Sequence, residues 1–185
     1  MPKPLKSGAV VDYPGVEHIY GTSPLMRHIG IIACLAAKLE VRLLHLFALV
    51  MRKDAQTASL IYDEIVNQNI KFQVLCRFAK DCLPEDMYKE LIEKIKKKLS
   101  TASKARTQAV HTNWLISHQH EAALISGNLH HPYTLEKYKE HNFMLFYEQD
   151  FEDMQTKVED ALMDLEDFLA RASKILTNPF PQSPP

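Results

Sequence analysis

Apolar residues recur every three or four positions along most of the chain, and this spacing predicts amphipathic helices. The first helix is predicted to start after Ser23, its N-cap, with Pro24 at the first helical position, and to run to about Arg52. Its apolar residues fall on two sides, so it should be central to a bundle. One side carries Leu25, Ile29, Ile32, Leu35, Leu39, Leu43, Leu46 and Val50, and the other carries Ala33, Ala37, Leu44, Phe47 and Met51.

The same pattern predicts the remaining helices. They run from Ala55 to about Val66, from Ile70 to about Asp81, from Pro84 to about His118, and from Asp150 to Leu176. Residues 119–147 are too irregular to assign to an element. No glycine lies between Gly30 and Gly127, which leaves little material for hairpin turns. The pattern therefore predicts an all-α fold, an up-and-down bundle of about four to five long helices with an irregular insertion before the last one.

The length and composition of the chain suit a single domain. Its 185 residues, 46% of them hydrophobic, can fill one core without metals or disulfides. We expect an extended N-terminal segment at residues 1–22, a helical bundle domain at 23–177 and a disordered, proline-rich tail at 178–185. Cys34, Cys76 and Cys82 form no CxxC pair and follow the apolar helical pattern, which predicts reduced, buried thiols.

Two segments bear on localisation. The N-terminus lacks a continuous apolar stretch, so it is not a secretory signal. The most apolar segment is interrupted by Lys38, Glu40 and Arg42, which would be costly inside a bilayer. These features predict a cytoplasmic protein with no membrane partner.

The charge balance requires any polyanion site to be local. The formal net charge is −1, which gives no global attraction to nucleic acid. The most basic stretch lies in the predicted fourth helix, where it could contact phosphates or form a solvated face interleaved with Glu90 and Glu93. Its lysines are Lys94, Lys96, Lys97, Lys98 and Lys104.

The end of the fourth helix, "KARTQAVHTNW", carries the candidate chemistry. Arg106 falls on the same predicted stripe as the apolar residues, so its charge needs a partner, and Glu40 in the apolar first helix has the complementary need. The two are therefore predicted to pair. Thr107, His111 and Trp114 make a second stripe with His118, covered either by the region after residue 119 or by a second subunit. This stripe favours a homodimer.

The stretch "RTQAVH" resembles the motif of the HEPN superfamily, the higher eukaryote and prokaryote nucleotide-binding domains. These are helical bundles with an arginine, four to six intervening residues and a histidine near a helix end. The segments "AAKLEVRLLHLFALVM" and "IYDEIVNQNIKFQVL" are similar to the first three helices of bacterial proteins of this type.

The resemblance implies a metal-independent endoribonuclease that acts on RNA at a dimer groove and needs no cofactor. His111 would be the general acid and base, Arg106 would stabilise charge on the phosphate, and Glu40 would orient Arg106. The chain departs from the family pattern at two supporting positions. Thr107 stands where an amide or carboxylate is usual, and Asn113 stands where a tyrosine is frequent.

The sequence leaves two other readings open. One is a non-catalytic helical interaction module that binds RNA or a protein partner such as an antitoxin. The other is a metal site among the histidines in and beside the irregular region, although no HExxH or paired CxxC spacing supports a metal and surface-loop histidines are the favoured interpretation. These histidines are His118, His120, His130, His131 and His141.

Overall fold

The computed structural model describes residues 3–4, 11–12, 24–117, 124–127 and 144–177. Most of this part of the chain is helical, which confirms the predicted helical bundle. A π-helical segment at Leu91–Ile95 joins α4 to α5, which makes one helical run of the two. The helices are α1 (Pro24–Met51), α2 (Ala55–Glu64), α3 (Gln68–Cys82), α4 (Glu85–Glu90), α5 (Lys96–His111) and α6 (Glu148–Thr177).

Short breaks with side-chain caps separate the early helices. Asp54 caps α2 by accepting a hydrogen bond from the Thr57 backbone N–H at 2.9 Å. Asn67 caps α3 by accepting from Asn69 and Ile70. Both breaks lie near the predicted positions. The helix α2 ends at Glu64, and α3 begins at Gln68 because Asn67 is its N-cap.

Five short strands, which the hydrophobic pattern does not predict, form an antiparallel sheet in the order β1-β5-β4-β3-β2. Leu115 lies opposite Ile125, and Ile125 lies opposite Leu145. The strands are β1 (Lys3–Pro4), β2 (Val11–Asp12), β3 (Asn113–Ser117), β4 (Leu124–Gly127) and β5 (Met144–Phe146). The sheet thus joins the N-terminal segment to the segment between the last two helices.

The position of β3 corrects the predicted end of the fourth helix. The helix ends at His111 and not at His118, because the chain from Asn113 onward pairs with β2 and β4. The apolar triplet Trp114, Leu115 and Ile116 fits a strand as well as a helix, and its pairing with neighbouring strands decides the outcome.

The chain divides into two compact units. The first contains Met1–Leu35 and Ala102–Val158, and therefore holds the sheet with the beginning of α1, the end of α5 and the beginning of α6. Its core is built from small residues of α5 and larger residues of β5 and α6. The buried residues are Leu25, Ile32, Ala102, Ala105, Ala109, Leu145, Phe146, Phe151, Met154 and Val158.

The second unit contains Ala36–Thr101 and Glu159–Pro185. Here the helical run of α4 and α5 lies antiparallel to α6, as a ladder of ion pairs shows. Glu90 accepts two hydrogen bonds of 2.8 Å from Arg171, whereas Lys98, two turns further along, lies 3.3 Å from Asp160. The largest fully buried side chains of this unit are Phe47, Phe168, Leu46, Leu75, Leu91, Ile95, Leu165 and Val50.

Two further predictions can be compared with the described residues. None of the described helices combines the length and the apolarity needed to cross a membrane. The three thiols are unpaired, but the prediction that they are buried is wrong. Cys34 is exposed, and Cys76 and Cys82 are half-buried, because each lies beside the buried stripe of its helix and not within it.

Candidate functional site: the exposed end of α5

The last turns of α5 pack into the first unit through three alanines. Ala102, Ala105 and Ala109 are all buried, and their spacing of three and four residues defines the inward face of the helix. Small side chains bring the helix backbone close to its neighbours, so the remaining positions project outward. Apart from Ala105, all residues from Ser103 to Gln108 are exposed.

Arg106 does not face the core, contrary to the prediction. Its side chain is exposed. The buried stripe shifts from Ala102 to Ala105, and Arg106 follows Ala105 by one residue, which is about 100° around the helix. The arginine therefore lies at the edge of the inward face, where its long side chain reaches solvent.

For the predicted pair between Glu40 and Arg106, the structure gives Glu40 two other partners within its own unit. The Glu40 carboxylate accepts hydrogen bonds from the Tyr62 hydroxyl at 3.1 Å and from the Gln68 side-chain amide at 2.6 Å, within the second unit. The half-buried carboxylate thus has the partners that it requires, but they are neutral. Burial, together with the charge of Glu40, raises the pKa of Tyr62 well above its ordinary value, which keeps the phenol protonated as the donor.

His111 is exposed and is the last residue of α5. It lies on the same side of the helix as Lys104, because seven residues correspond to about 20° of rotation and about 10.5 Å of rise. Arg106 and His111 are about 140° apart. Among the described residues of the first unit, none forms an ion pair with these three side chains.

The exposed cations belong to a surface without acidic neighbours on the helix, since Lys96–His111 contains no aspartate or glutamate. We call this surface in the first unit the α5 cationic face. It covers an arc of about 200° that begins at Arg106 and ends at Gln108. Its members are Ser103, Lys104, Arg106, Thr107, Gln108 and His111.

Two lysines of the predicted basic stretch are engaged elsewhere. Lys94 lies 3.6 Å from Asp164, and Lys98 lies 3.3 Å from Asp160 and 3.5 Å from Asp164. The hydrogen bond to Asp160 raises the pKa of Lys98. These lysines belong to the ion-pair ladder of the second unit, as a solvated helix face predicts, and not to a free phosphate site.

Trp114 is not on a helical stripe with His111, because it follows the end of α5 and belongs to β3. Its ring packs against Phe146 and Phe151 at centroid distances of 5.1 Å and 5.0 Å. Its indole N–H donates to the Ala109 carbonyl at 2.8 Å, at the end of α5. The sequence predicts that Trp114 packs against either the chain after residue 119 or a second subunit, and the structure shows the first of these contacts. The tryptophan therefore fixes the end of α5 against β5 and α6.

The other predicted site residues are placed as follows. Thr107 is exposed on the α5 cationic face. The backbone of Asn113 pairs with Gly127 in the sheet, while its side chain lies outside the described part of the structure. All five histidines of the alternative metal reading lie outside the described residues.

A second cluster of polar side chains occurs in the first unit. His28 on α1 lies beside Glu148 and Glu152 on α6, and one potential ligand atom from each lies within 4.8 Å of the other two. Within the described ranges this is the group of histidine and acidic side chains whose spacing could hold a metal ion. Sequence reasoning missed it because His28 is far from the two glutamates along the chain. Only the spacing of four between Glu148 and Glu152 was visible, and this is common on helices.

Comparison with known proteins identifies no related protein. No protein-family model matches the chain, and no curated protein or solved structure matches it significantly. The resemblance to the HEPN superfamily therefore stays a prediction.

Proposed function

We propose that this protein is an RNA-binding helical module that contacts RNA phosphates through the α5 cationic face. The observation that carries the proposal is that Lys104, Arg106 and His111 are exposed on a helix with no acidic residue. Exposed cations without ion-pair partners can bind phosphate with little competition from nearby carboxylates. The HEPN-like motif "RTQAVH" favours RNA as the source of those phosphates.

The side chains of this face would make different contacts with RNA. Lys104 and His111 form one line along the helix, suited to two phosphates of one strand. Arg106, at the edge of the arc, can make a bidentate contact with a further phosphate. Thr107 and Gln108 add neutral hydrogen-bonding groups between the cations.

Binding of a fluorescently labelled single-stranded RNA, measured by anisotropy, tests the proposal. The double variant Lys104→Ala/Arg106→Ala should raise Kd roughly 30-fold, taking about 1 kcal/mol for each phosphate contact of an exposed cation. Arg27→Ala/Lys53→Ala is the matched control, since both residues are exposed and lie outside the face. If both double variants lose the same RNA affinity, the effect comes from the change in net charge alone, and the α5 cationic face is not a specific binding surface.

A second candidate function is metal-independent RNA cleavage by Arg106 and His111, as the HEPN resemblance implies. It is favoured by the exposure of both side chains, which leaves each of them accessible to RNA. Because they are about 140° apart on the helix, we propose that a second copy of the chain completes a groove that brings such side chains together. His111 would then move the proton of the ribose 2′-hydroxyl while Arg106 stabilises charge on the phosphate.

Cleavage is tested by incubating mixed RNA with the protein in the presence of a chelator. His111→Ala should lower the rate about 10²- to 10⁴-fold, which is the usual contribution of a general acid or base. The RNA affinity should change far less. Equal cleavage by wild type and variant, or none by either, would remove the catalytic step and leave RNA binding alone. A monomer by sedimentation at high concentration would contradict the shared groove.

A further inference from the structure

We propose that His28, Glu148 and Glu152 form a binding site for Zn²⁺, separate from the α5 cationic face. Their potential ligand atoms lie within 4.8 Å of one another, although the residues come from two helices. Imidazole nitrogen and carboxylate oxygen are the donors that zinc takes most often in proteins besides cysteine.

The hydrogen bond on one side of the His28 ring prepares the other side for a metal. The Nδ1 atom lies 3.0 Å from the Gln155 Oε1 atom, so Nδ1–H donates to this amide oxygen. In a neutral imidazole the Nε2 atom then carries a lone pair and no proton. A partner that fixes the tautomer in this way is the usual companion of a metal-ligating histidine.

The Nε2 atom points toward a carboxylate at a distance that suits two ligands of one ion. It lies 3.6 Å from Glu148 Oε1, which is too long for a hydrogen bond. Two ligands of a tetrahedral zinc, with bonds of about 2.0–2.1 Å, are roughly 3.3 Å apart. A lone pair facing an anionic oxygen is unfavourable unless a proton or a metal ion lies between them. A zinc ion would also draw in the carboxylate of Glu152, whose oxygen lies within 4.8 Å of the other two ligand atoms.

The surroundings favour an open site. The His28 side chain is 16% exposed and that of Glu148 is 58% exposed, while Glu152 is exposed one turn further along α6. Three protein ligands leave the fourth tetrahedral position to water. One nitrogen with two carboxylates also selects a first-row transition metal over calcium or magnesium, which prefer oxygen ligands alone.

Isothermal titration of the untagged, full-length protein with zinc chloride tests the site. His28→Gln and Glu152→Gln should each remove one zinc equivalent or weaken its binding more than about 100-fold. Gln155→Leu, which removes only the partner of the imidazole, should weaken it about 10- to 100-fold. Glu93→Gln is the matched control, since Glu93 is an exposed helical glutamate outside the cluster.

The titration separates this cluster from the other histidines of the chain. If His28→Gln and Glu152→Gln bind as many equivalents as the wild type with equal affinity, the zinc is held elsewhere and the proposal fails. It also fails if the wild type binds none. Circular dichroism checks that each variant folds, and the exposed Glu152 keeps the test decisive if replacement of His28 disturbs the helix.

Discussion

Replacing Phe151 tests the packing that holds the end of α5 in place. The side chain is 0% exposed and packs against Trp114 at a centroid distance of 5.0 Å and against Phe146 at 6.2 Å. Phe→Ala substitutions at such sites destabilise proteins by about 3–5 kcal/mol, through lost apolar burial and the cavity left behind. Within this total, each aromatic pair accounts for about 0.5–1.5 kcal/mol.

Urea unfolding of Phe151→Ala supplies the assay, since Trp114 is the single tryptophan of the chain and reports on this cluster. Its emission should shift toward the red in the folded variant, and the free energy of unfolding should fall by about 3–5 kcal/mol. Phe78→Ala is the matched control. Phe78 is 39% exposed, so about 1–2 kcal/mol is expected and the tryptophan emission should not move. A loss below about 1 kcal/mol for Phe151→Ala, with unchanged emission, would refute the described packing.

Three smaller predictions follow from individual contacts. The Arg171 guanidinium holds the pKa of Glu90 below its ordinary value, so Glu90→Gln should cost at most about 1 kcal/mol at neutral pH. The pair stabilises the protein above the unfolded pKa of about 4.3, and the difference between variant and wild type in acid titrations should vanish as pH falls through the lower folded pKa. Exposed Cys34 should react with iodoacetamide before half-buried Cys82 and before Cys76, whose pKa is raised by burial, so mass spectrometry after short labelling should show one adduct that Cys34→Ser removes. Asn67→Ala should cost about 1 kcal/mol in thermal unfolding and Asn67→Gly only a few tenths, because the cap of α3 is lost in the first and partly replaced in the second. Equal losses in the two Asn67 variants would contradict a capping role.

The helices could be predicted from sequence because their signals are local. Apolar periodicity and the caps at Asp54 and Asn67 depend on neighbouring residues alone. The sheet could not be predicted, because its strands are two to five residues long and pair across large separations, as Val11 does with Ser117. A run of three apolar residues after His111 carries no mark that separates a strand from another helical turn.

The candidate site shows the same division. The exposed histidine at a helix end and the basic character of α5 follow from the sequence. The partners of Glu40 could not be predicted, because the sequence shows only that a carboxylate in an apolar helix needs a partner and not which residue supplies it. The structure satisfies that need with Tyr62 and Gln68. The exposure of Arg106 could not be predicted either. The buried stripe of α5 passes through Ala105, which precedes Arg106 by one residue, and the sequence does not show which of the two faces the core.

The salt dependence of RNA affinity tests the central claim most directly. For single-stranded RNA, each phosphate contact made by a cation contributes about 0.7 to the slope of log Kd against log salt concentration. The slope for Lys104→Ala/Arg106→Ala should therefore be smaller than that of the wild type by about 1.4, while Arg27→Ala/Lys53→Ala should keep the wild-type slope. If the wild type and Lys104→Ala/Arg106→Ala have the same slope, the α5 cationic face does not bind the phosphates and the proposed function is wrong.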